Sequence, residues 1–152
     1  MQETTLGALI DLALEMEKKA YAFYDSLEKR FSDRAEFVVC VQEVKRDELL
    51  HQRVLKEIRD SLSEGRLSVP VDAEPAERLQ AVLDFLKDVD VNAFKDAEDV
   101  SQAIQTLESV EFDVVLSFVN IDEIDYEFTR EYLQNESVAH TDRVFRAQEC
   151  FD

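Results

Sequence analysis

Glutamate residues interrupt the apolar stripes of this sequence at positions where a helical bundle normally buries hydrophobic side chains. Glu17 lies in one stripe and Glu111 in another, while Glu48 and His51 occupy successive core positions of a third. A buried carboxylate is costly without a partner, and several converging on one core would be costlier. Cations remove that cost, and carboxylate and imidazole ligands suit iron or manganese. These residues therefore predict a metal site inside a helical bundle.

The spacing of the stripes predicts that these residues meet at one level. Two of the stripes share the alternating three- and four-residue spacing of a bundle seam. Each member of one lies 94 residues from its counterpart in the other. Their members are Ile10, Ala13, Glu17, Ala20 and Tyr24, and Ile104, Leu107, Glu111, Val114 and Phe118. The remaining stripe contains Val41, Val44, Glu48, His51, Leu55 and Ile58. Because Glu48 and His51 are three residues apart, both lie on one helix face.

Four long helices are predicted to carry these stripes. The first covers about 5 to 30, and the second runs to about Leu62 from a cap at Asp33, with Glu36 in capping-box position. The third begins near Asp99, with Gln102 in capping-box position, and reaches about residue 119. The fourth covers roughly 127 to 150. The pattern therefore predicts two helical hairpins.

A long connection, from about 65 to 98, separates the two hairpins. It contains a short helix with Pro75 near its first turn. The apolar face of this helix is formed by Leu79, Val82, Leu83 and Leu86. Its segment 67–71 is too short for a convincing strand and contains a proline. Two hairpins joined by a long crossover describe an all-α, ferritin-like four-helix bundle.

Composition agrees with one helical domain over residues 1–152. The chain has two glycines and two prolines, and few helix breakers favour long helices. The formal net charge of −18 disfavours nucleic acid and anionic membrane surfaces as partners. No run of 18 apolar residues and no signal-peptide pattern occurs, so we expect a cytoplasmic protein.

The two cysteines, Cys40 and Cys150, are far apart in sequence and form no CxxC motif. This excludes a zinc ribbon, a rubredoxin-type iron site and a thioredoxin-type redox motif within the chain. Cys40 stands in an apolar run, where we expect it to pack as a small hydrophobic residue.

The run from Leu14 to Tyr24, followed by Glu48-x-x-His51, resembles the first hairpin of rubrerythrin-like proteins in the ferritin superfamily. The resemblance covers nearly the whole chain and is weakest in the last quarter. It implies a non-haem di-iron centre with Glu17 and Glu111 as carboxylate ligands, and Glu48 with His51 as a bridging carboxylate and imidazole pair. Manganese is an alternative metal. Glu108, one turn before Glu111, is a further candidate carboxylate, but we favour its interpretation as a solvated residue on the helix face.

The fourth helix departs from the family pattern because it has no Glu-x-x-His. Shifting the first half by 94 residues places Asp142 opposite Glu48 and Phe145 opposite His51. A shorter turn between the helices instead brings Glu136 and His140 to the site, four residues apart and on one face. We favour Glu136 and His140 as metal ligands, with Asp142 as the alternative.

The resemblance implies an oxidoreductase that reduces peroxide or oxidises ferrous iron, with peroxide, oxygen or ferrous iron as substrate. Because the chain has no cysteine-ligated iron motif, a peroxidase of this type would need an external electron-donor protein. We expect a homodimer. The alternative is a helical binding module whose metal site is degenerate and which catalyses nothing. Iron storage in a cage is a third interpretation.

Overall fold

A computed structural model describes residues 4–108 and 127–151; the side chains of 127–138 lie outside the described part. The protein is mostly helical, which confirms the all-α prediction. Its longer helices are α1 (Leu6–Arg30), α2 (Ala35–Ser61), α4 (Ala73–Asp88), α5 (Ala97–Leu107) and α6 (Glu127–Phe151). A one-turn helix, α3 (Glu64–Leu67), and a 3-10 turn (Val91–Ala93) complete the helical segments of the described residues.

The start of α1 is fixed by local capping and by a short strand pair. The Thr5 hydroxyl accepts a hydrogen bond from the Ala8 amide at 3.2 Å, which satisfies one of the unpaired amides of the first turn. Strand β1 (Thr4–Thr5) pairs antiparallel with β2 (Pro70–Val71), so the expectation that segment 67–71 forms no strand was wrong. The pairing holds the crossover against the beginning of α1.

The second helix begins without the predicted cap. Arg34, not Asp33, is the N-cap residue of α2, and it forms no side-chain capping bond. Its guanidinium instead donates from Nη1 to the carbonyl oxygen of Phe151 at 2.7 Å. That bond satisfies a carbonyl at the end of α6, where cationic side chains are favourable. A contact between distant helix ends has therefore replaced the local cap.

Helix α5, which corresponds to the predicted third long helix, begins slightly earlier than predicted. The Asp96 side chain accepts a hydrogen bond from the Asp99 amide at 3.0 Å, and the Asp99 carboxylate accepts one from the Lys95 amide at 2.9 Å. Asp96 is thus the N-cap of α5, and the Asp99 carboxylate bonds to the amide of the residue before the cap. The proposed Asp99–Gln102 box was therefore wrong. The prediction that this helix reaches residue 119 lies outside the described residues.

The crossover contains the predicted short helix. Pro75 lies in the first turn of α4, where its missing amide is tolerated. Leu79 and Val82 are buried against α1, and Leu83 and Leu86 pack at the edge of the same core. Full burial of a leucine or valine side chain, as at Leu79 and Val82, contributes ~1.5–3 kcal/mol relative to its exposure.

One hydrophobic core extends from Leu6 to Phe151. Helix α1 packs on α2 and α4, α2 also packs on α6, and α6 packs on α5. At one end the rings of Phe31 and Phe37 meet Phe151 edge-on, at centroid distances of 4.7 and 5.0 Å. Among the described helices, none is long and apolar enough to cross a lipid bilayer.

Candidate metal centre

Helices α1 and α2 place three of the predicted residues in the protein interior. The exposed fractions of Glu17, Glu48 and His51 are 3%, 2% and 2%. Their neighbours in the stripes, including Ala13, Ala20 and Val44, are buried as well. The helical spacing therefore identified these three polar residues correctly as core residues, and the small alanines leave space beside Glu17.

Helix α6 adds His140 to the same place. His140 is 7% exposed, whereas Asp142 is exposed. Two residues correspond to about 200° around a helix, so the two side chains point to opposite sides. Of the two fourth-helix alternatives, the structure brings His140 to the cluster and leaves Asp142 outside it. The Glu136 side chain and the whole of Glu111 lie outside the described residues.

The first part of the cluster is formed by Glu17, Glu48 and His51, which we call the His51 half. The Nδ1 atom of His51 lies 3.2 Å from Oε2 of Glu17 and 3.8 Å from Oε2 of Glu48. One nitrogen of this imidazole therefore faces two carboxylates.

The second part is formed by Glu108 and His140, which we call the His140 half. The Nε2 atom of His140 lies 3.2 Å from Oε2 of Glu108 and 3.6 Å from Oε1 of Glu48. The two imidazole rings are close, with centroids 4.6 Å apart and planes at 72°. The His140 half thus lies directly beside the His51 half.

Glu48 connects the two halves. Its Oε2 atom faces Nδ1 of His51, and its Oε1 atom faces Nε2 of His140. The two oxygens of one carboxylate are therefore directed to two different imidazoles. A carboxylate in this position can share a cation with either imidazole.

Asp47 contacts the side of the His140 ring that faces away from Glu48 and Glu108, and Arg143 contacts Asp47. The Nδ1 atom of His140 lies 2.9 Å from Oδ2 of Asp47, which also accepts a hydrogen bond of 2.6 Å from Nε of Arg143. This leaves Nε2 of His140 directed toward Glu48 and Glu108. Metal-binding histidines usually have such a carboxylate on the nitrogen that does not bind the metal. Sequence reasoning missed Asp47, because its partners belong to α6.

Glu108 also belongs to the cluster, so the expectation of a solvated residue was wrong. Its side chain is 21% exposed, and Oε1 accepts a hydrogen bond of 2.7 Å from the hydroxyl of Tyr24. Glu108 is the residue that caps the end of the described part of α5, one position beyond the buried Leu107. Its place depends on where that helical segment ends, which the stripe pattern does not specify.

The protonation states of the carboxylates differ across the cluster. Burial, together with the charge of Glu17, raises the pKa of Glu48 well above its usual range. Burial also opposes ionisation of Glu108, but hydrogen bonds from His140 and Tyr24 keep the pKa of Glu108 below its usual value. For Asp47, burial is likewise outweighed by His140 and Arg143, which lower its pKa.

His140 carries the balancing positive charge. Burial alone would favour its neutral form, but hydrogen bonds to Asp47 and Glu108 raise its pKa to about 11. His140 is thus a buried imidazolium between carboxylates. Burial and the charge of Glu108 raise the pKa of the Tyr24 hydroxyl, so it stays a neutral donor.

The donor set of the cluster fits metal ions. One ligand atom from each of Glu48, His51 and His140 lies within 4.8 Å of the other two. Metal–ligand bonds of about 2.1 Å keep ligand atoms within about 4.2 Å of one another, so only small side-chain movements are needed. Nitrogen and oxygen ligands without sulfur suit iron and manganese. A buried metal-binding cluster is therefore a physically consistent description of this site.

Comparison with known proteins gives no independent assignment. No protein-family model matches the chain, and no curated protein or solved structure matches it at a significant level.

Proposed function

We propose that the protein is a ferritin-like four-helix bundle with a non-haem di-iron centre, and that it acts as a rubrerythrin-like oxidoreductase on peroxide or ferrous iron. The single observation that carries this proposal is the position of Glu48. Its two oxygens face His51 and His140 separately, at 3.8 and 3.6 Å. This arrangement is expected for a carboxylate that bridges two metal positions.

The order of the helices supports a ferritin-like topology. Helices α1 and α2 form one hairpin, and α3, β2 and α4 occupy the connection to α5. Helix α6 packs against both α2 and α5. A bundle with one long crossover between its halves has this order of elements.

Each metal position would have three ligands among the described residues. Glu17, Glu48 and His51 would hold one ion, and Glu48, Glu108 and His140 the other. Two ferrous ions there would supply the two electrons that reduce hydrogen peroxide to water; manganese is the alternative metal. Glu111 and Glu136 stay candidate ligands outside the described part of the site.

The protein's own residues would prepare and protect this chemistry. Asp47 fixes the orientation of His140, and Tyr24 fixes Glu108 through its hydroxyl. The burial of Glu17, Glu48 and His51 excludes bulk water from the His51 half of the cluster. Excluding water strengthens the electrostatic interactions within such a site.

The proposed reaction needs a source of electrons outside the metal site. Peroxide reduction needs two electrons per turnover, which a separate electron-donor protein would supply. Ferrous iron as substrate would supply its own electrons. We propose a cytoplasmic homodimer as the working form.

Anaerobic iron loading tests the proposal. Metal-free protein is incubated with ferrous iron, desalted, and analysed for iron per chain and for thermal stability. We expect about two iron ions per chain, a raised melting temperature, and consumption of about one peroxide per two ferrous ions. No retained iron and no thermal stabilisation would contradict the proposal.

Two pairs of variants provide matched controls for this test. E17Q should lose iron, whereas E15Q should not, because Glu15 is exposed two residues earlier on the same helix. H140A should lose iron, whereas D142N should retain it, because Asp142 is exposed. Loss of iron in D142N with retention in H140A would assign the fourth-helix ligand to Asp142.

A binding module with a degenerate site is the second candidate function. It is favoured by the hydrogen bonds that already join His140 to Asp47 and Glu108. A buried polar network with satisfied partners can exist for structural reasons alone. In that case iron would neither bind nor stabilise the protein, while H140A would still lower its stability.

A further inference from the structure

The two cysteines meet at the contact between α2 and the end of α6. The Sγ atoms of Cys40 and Cys150 are 2.7 Å apart, although 110 residues separate them in sequence. Both are free thiols and both are partly buried. A disulfide bond has a sulfur–sulfur distance of about 2.05 Å, so bond formation requires an approach of less than about 1 Å. Cys40 packs against the core as expected, but its sulfur also has a specific partner.

The structure around the cysteines holds them together independently of their sulfur atoms. Arg34 donates a hydrogen bond to the carbonyl oxygen of Phe151, and its guanidinium lies 4.1 Å from the centre of the Phe151 ring. The same ring packs against Phe31 and Phe37. The last turn of α6 is thereby fixed to the first turns of α2, so the two thiols can react without rearrangement of the helices.

We propose that Cys40 and Cys150 form a redox-active dithiol that small-molecule disulfides convert to an intramolecular disulfide. One cysteine thiolate attacks the small disulfide, forms a mixed disulfide and releases one small thiolate. The second cysteine thiolate then attacks the protein sulfur of the mixed disulfide and releases the other small thiolate. The protein loses two electrons and two protons, and the small disulfide becomes two thiols.

The reaction should become faster as the pH rises. Burial and the neighbouring Cys150 raise the pKa of the Cys40 thiol to about 11. Because only the thiolate attacks a disulfide, the fraction of reactive Cys40 increases up to that pH.

The disulfide would fasten the helix that carries His140 to the helix that carries Glu48 and His51. It closes a loop of more than one hundred residues, and long loops give the largest restriction of the unfolded chain. Oxidation should therefore raise the melting temperature of the metal-free protein. This inference does not rest on metal binding, so a failure of the proposed oxidoreductase function would leave it standing.

Incubation of the metal-free protein with oxidised glutathione, followed by trapping with iodoacetamide, tests the proposal. We expect a monomer lighter by about 2 Da, no alkylated cysteine, and one cross-linked peptide pair that contains both cysteines. Dithiothreitol should restore both thiols and remove the increase in melting temperature. A product that stops at glutathione adducts, or cross-links between chains, would overturn the proposal.

A variant with a displaced thiol provides the matched control. Val39 precedes Cys40 on α2 and is 56% exposed. The double substitution V39C/C40S keeps two cysteines in the chain but moves one thiol about 100° around the helix. It should give only glutathione adducts, as should C40S and C150S. Cross-linking of V39C/C40S as fast as in the unmodified sequence would show that the observed contact does not direct the reaction.

Discussion

The two halves of the buried cluster balance their charges in different ways. In the His140 half, the imidazolium of His140 and the nearby Arg143 neutralise Glu108 and Asp47. In the His51 half, the Glu48 carboxyl group stays protonated and neutral, because burial and the charge of Glu17 raise its pKa. One half is thus assembled as ion pairs in the absence of a cation, whereas the other half retains a proton that a cation can replace.

This difference follows from which helices contribute residues to each half. The His51 half comes from one hairpin, and its three residues lie on adjacent faces of α1 and α2. The His140 half requires α5 and α6, which reach the cluster only when the bundle has assembled. Its ion pairs therefore help to attach distant parts of the chain, whereas the His51 half retains the proton of Glu48.

Removal of the shared carboxylate should have the largest effect on metal binding. In E48Q, the group that faces both imidazoles loses its charge and one metal-binding oxygen. We expect iron affinity to fall by at least about 100-fold, measured by competition with a chelator. The metal-free variant should have about the same stability, because the raised pKa already keeps Glu48 protonated and the amide is likewise neutral.

The control for this change is E36Q. Glu36 is an exposed glutamate on the same helix, so its substitution should leave iron affinity unchanged. Equal loss of iron in both variants would show that the acidic surface of α2, and not Glu48, determines binding.

Lowering the pH should have the next largest effect on iron affinity. Metal-free protein holds protons on Glu48 and His140, whose pKa values are raised, and a cation can bind only when those protons leave. Iron affinity should therefore rise with pH, on the order of 10-fold per pH unit for each proton released. A pH-indicator dye in weakly buffered solution measures the release directly.

The variant H140A provides the internal reference for that measurement, since it removes one of the two proton sources. It should release fewer protons for each metal ion that still binds. Metal uptake without any proton release between about pH 6 and pH 7 would contradict these protonation states.

Loss of the Asp47 carboxylate, which contacts His140, should lower iron affinity less than E48Q does. It should also clearly lower the stability of the protein. D47N removes the buried carboxylate that His140 and Arg143 share, so we expect about 3 kcal/mol of destabilisation in urea unfolding of the metal-free protein. Iron affinity should fall by roughly 10- to 100-fold. The exposed Asp60 on the same helix provides the control D60N, which should change neither quantity.

The stability difference between D47N and the unmodified protein should depend on pH in a defined direction. The folded-state pKa of Asp47 is lowered, so its contribution is present above the usual aspartate pKa and is lost as the pH falls below it. A difference that persists unchanged in strong acid would mean that Asp47 stabilises the fold by packing alone.

The smallest effect is expected for Y24F. The substitution removes one hydrogen bond to Glu108 and keeps the buried ring, which costs about 1 kcal/mol of stability. Iron affinity should change by only a few-fold, since His140 still contacts Glu108. Y21F is the matched control on α1; its ring, which lies beside Lys45, is retained. An effect of Y24F as large as that of E48Q would place the Tyr24 hydroxyl among the essential groups.

Local periodicity was sufficient to predict the His51 half. Glu17, Glu48 and His51 lie in stripes whose apolar neighbours are buried, so the position of each followed from helical geometry. The boundaries of α1 and α2 were predicted to within a few residues for the same reason. The caps were less predictable, because Arg34 makes a contact with Phe151 instead of a local one.

The remaining features depend on contacts between segments that are distant in sequence. Glu108 lies outside the predicted seam, and its partners Tyr24 and His140 belong to two other helices. Asp47 looks like one of many helical acidic residues until α6 provides His140 and Arg143. The contact between Cys40 and Cys150 likewise appears only after the helices have packed. No local pattern contains these pairings.

The position of Phe151 has a consequence for the timing of folding during synthesis. Its ring completes the aromatic contacts with Phe31 and Phe37, and its carbonyl accepts the hydrogen bond from Arg34. A ribosome that has translated α1 to α5 has therefore produced a chain whose core lacks its final side. We expect stable packing at this end to begin only after the last turn of α6 has left the exit tunnel, because Phe31 and Phe37 lack their contacts with Phe151 until then.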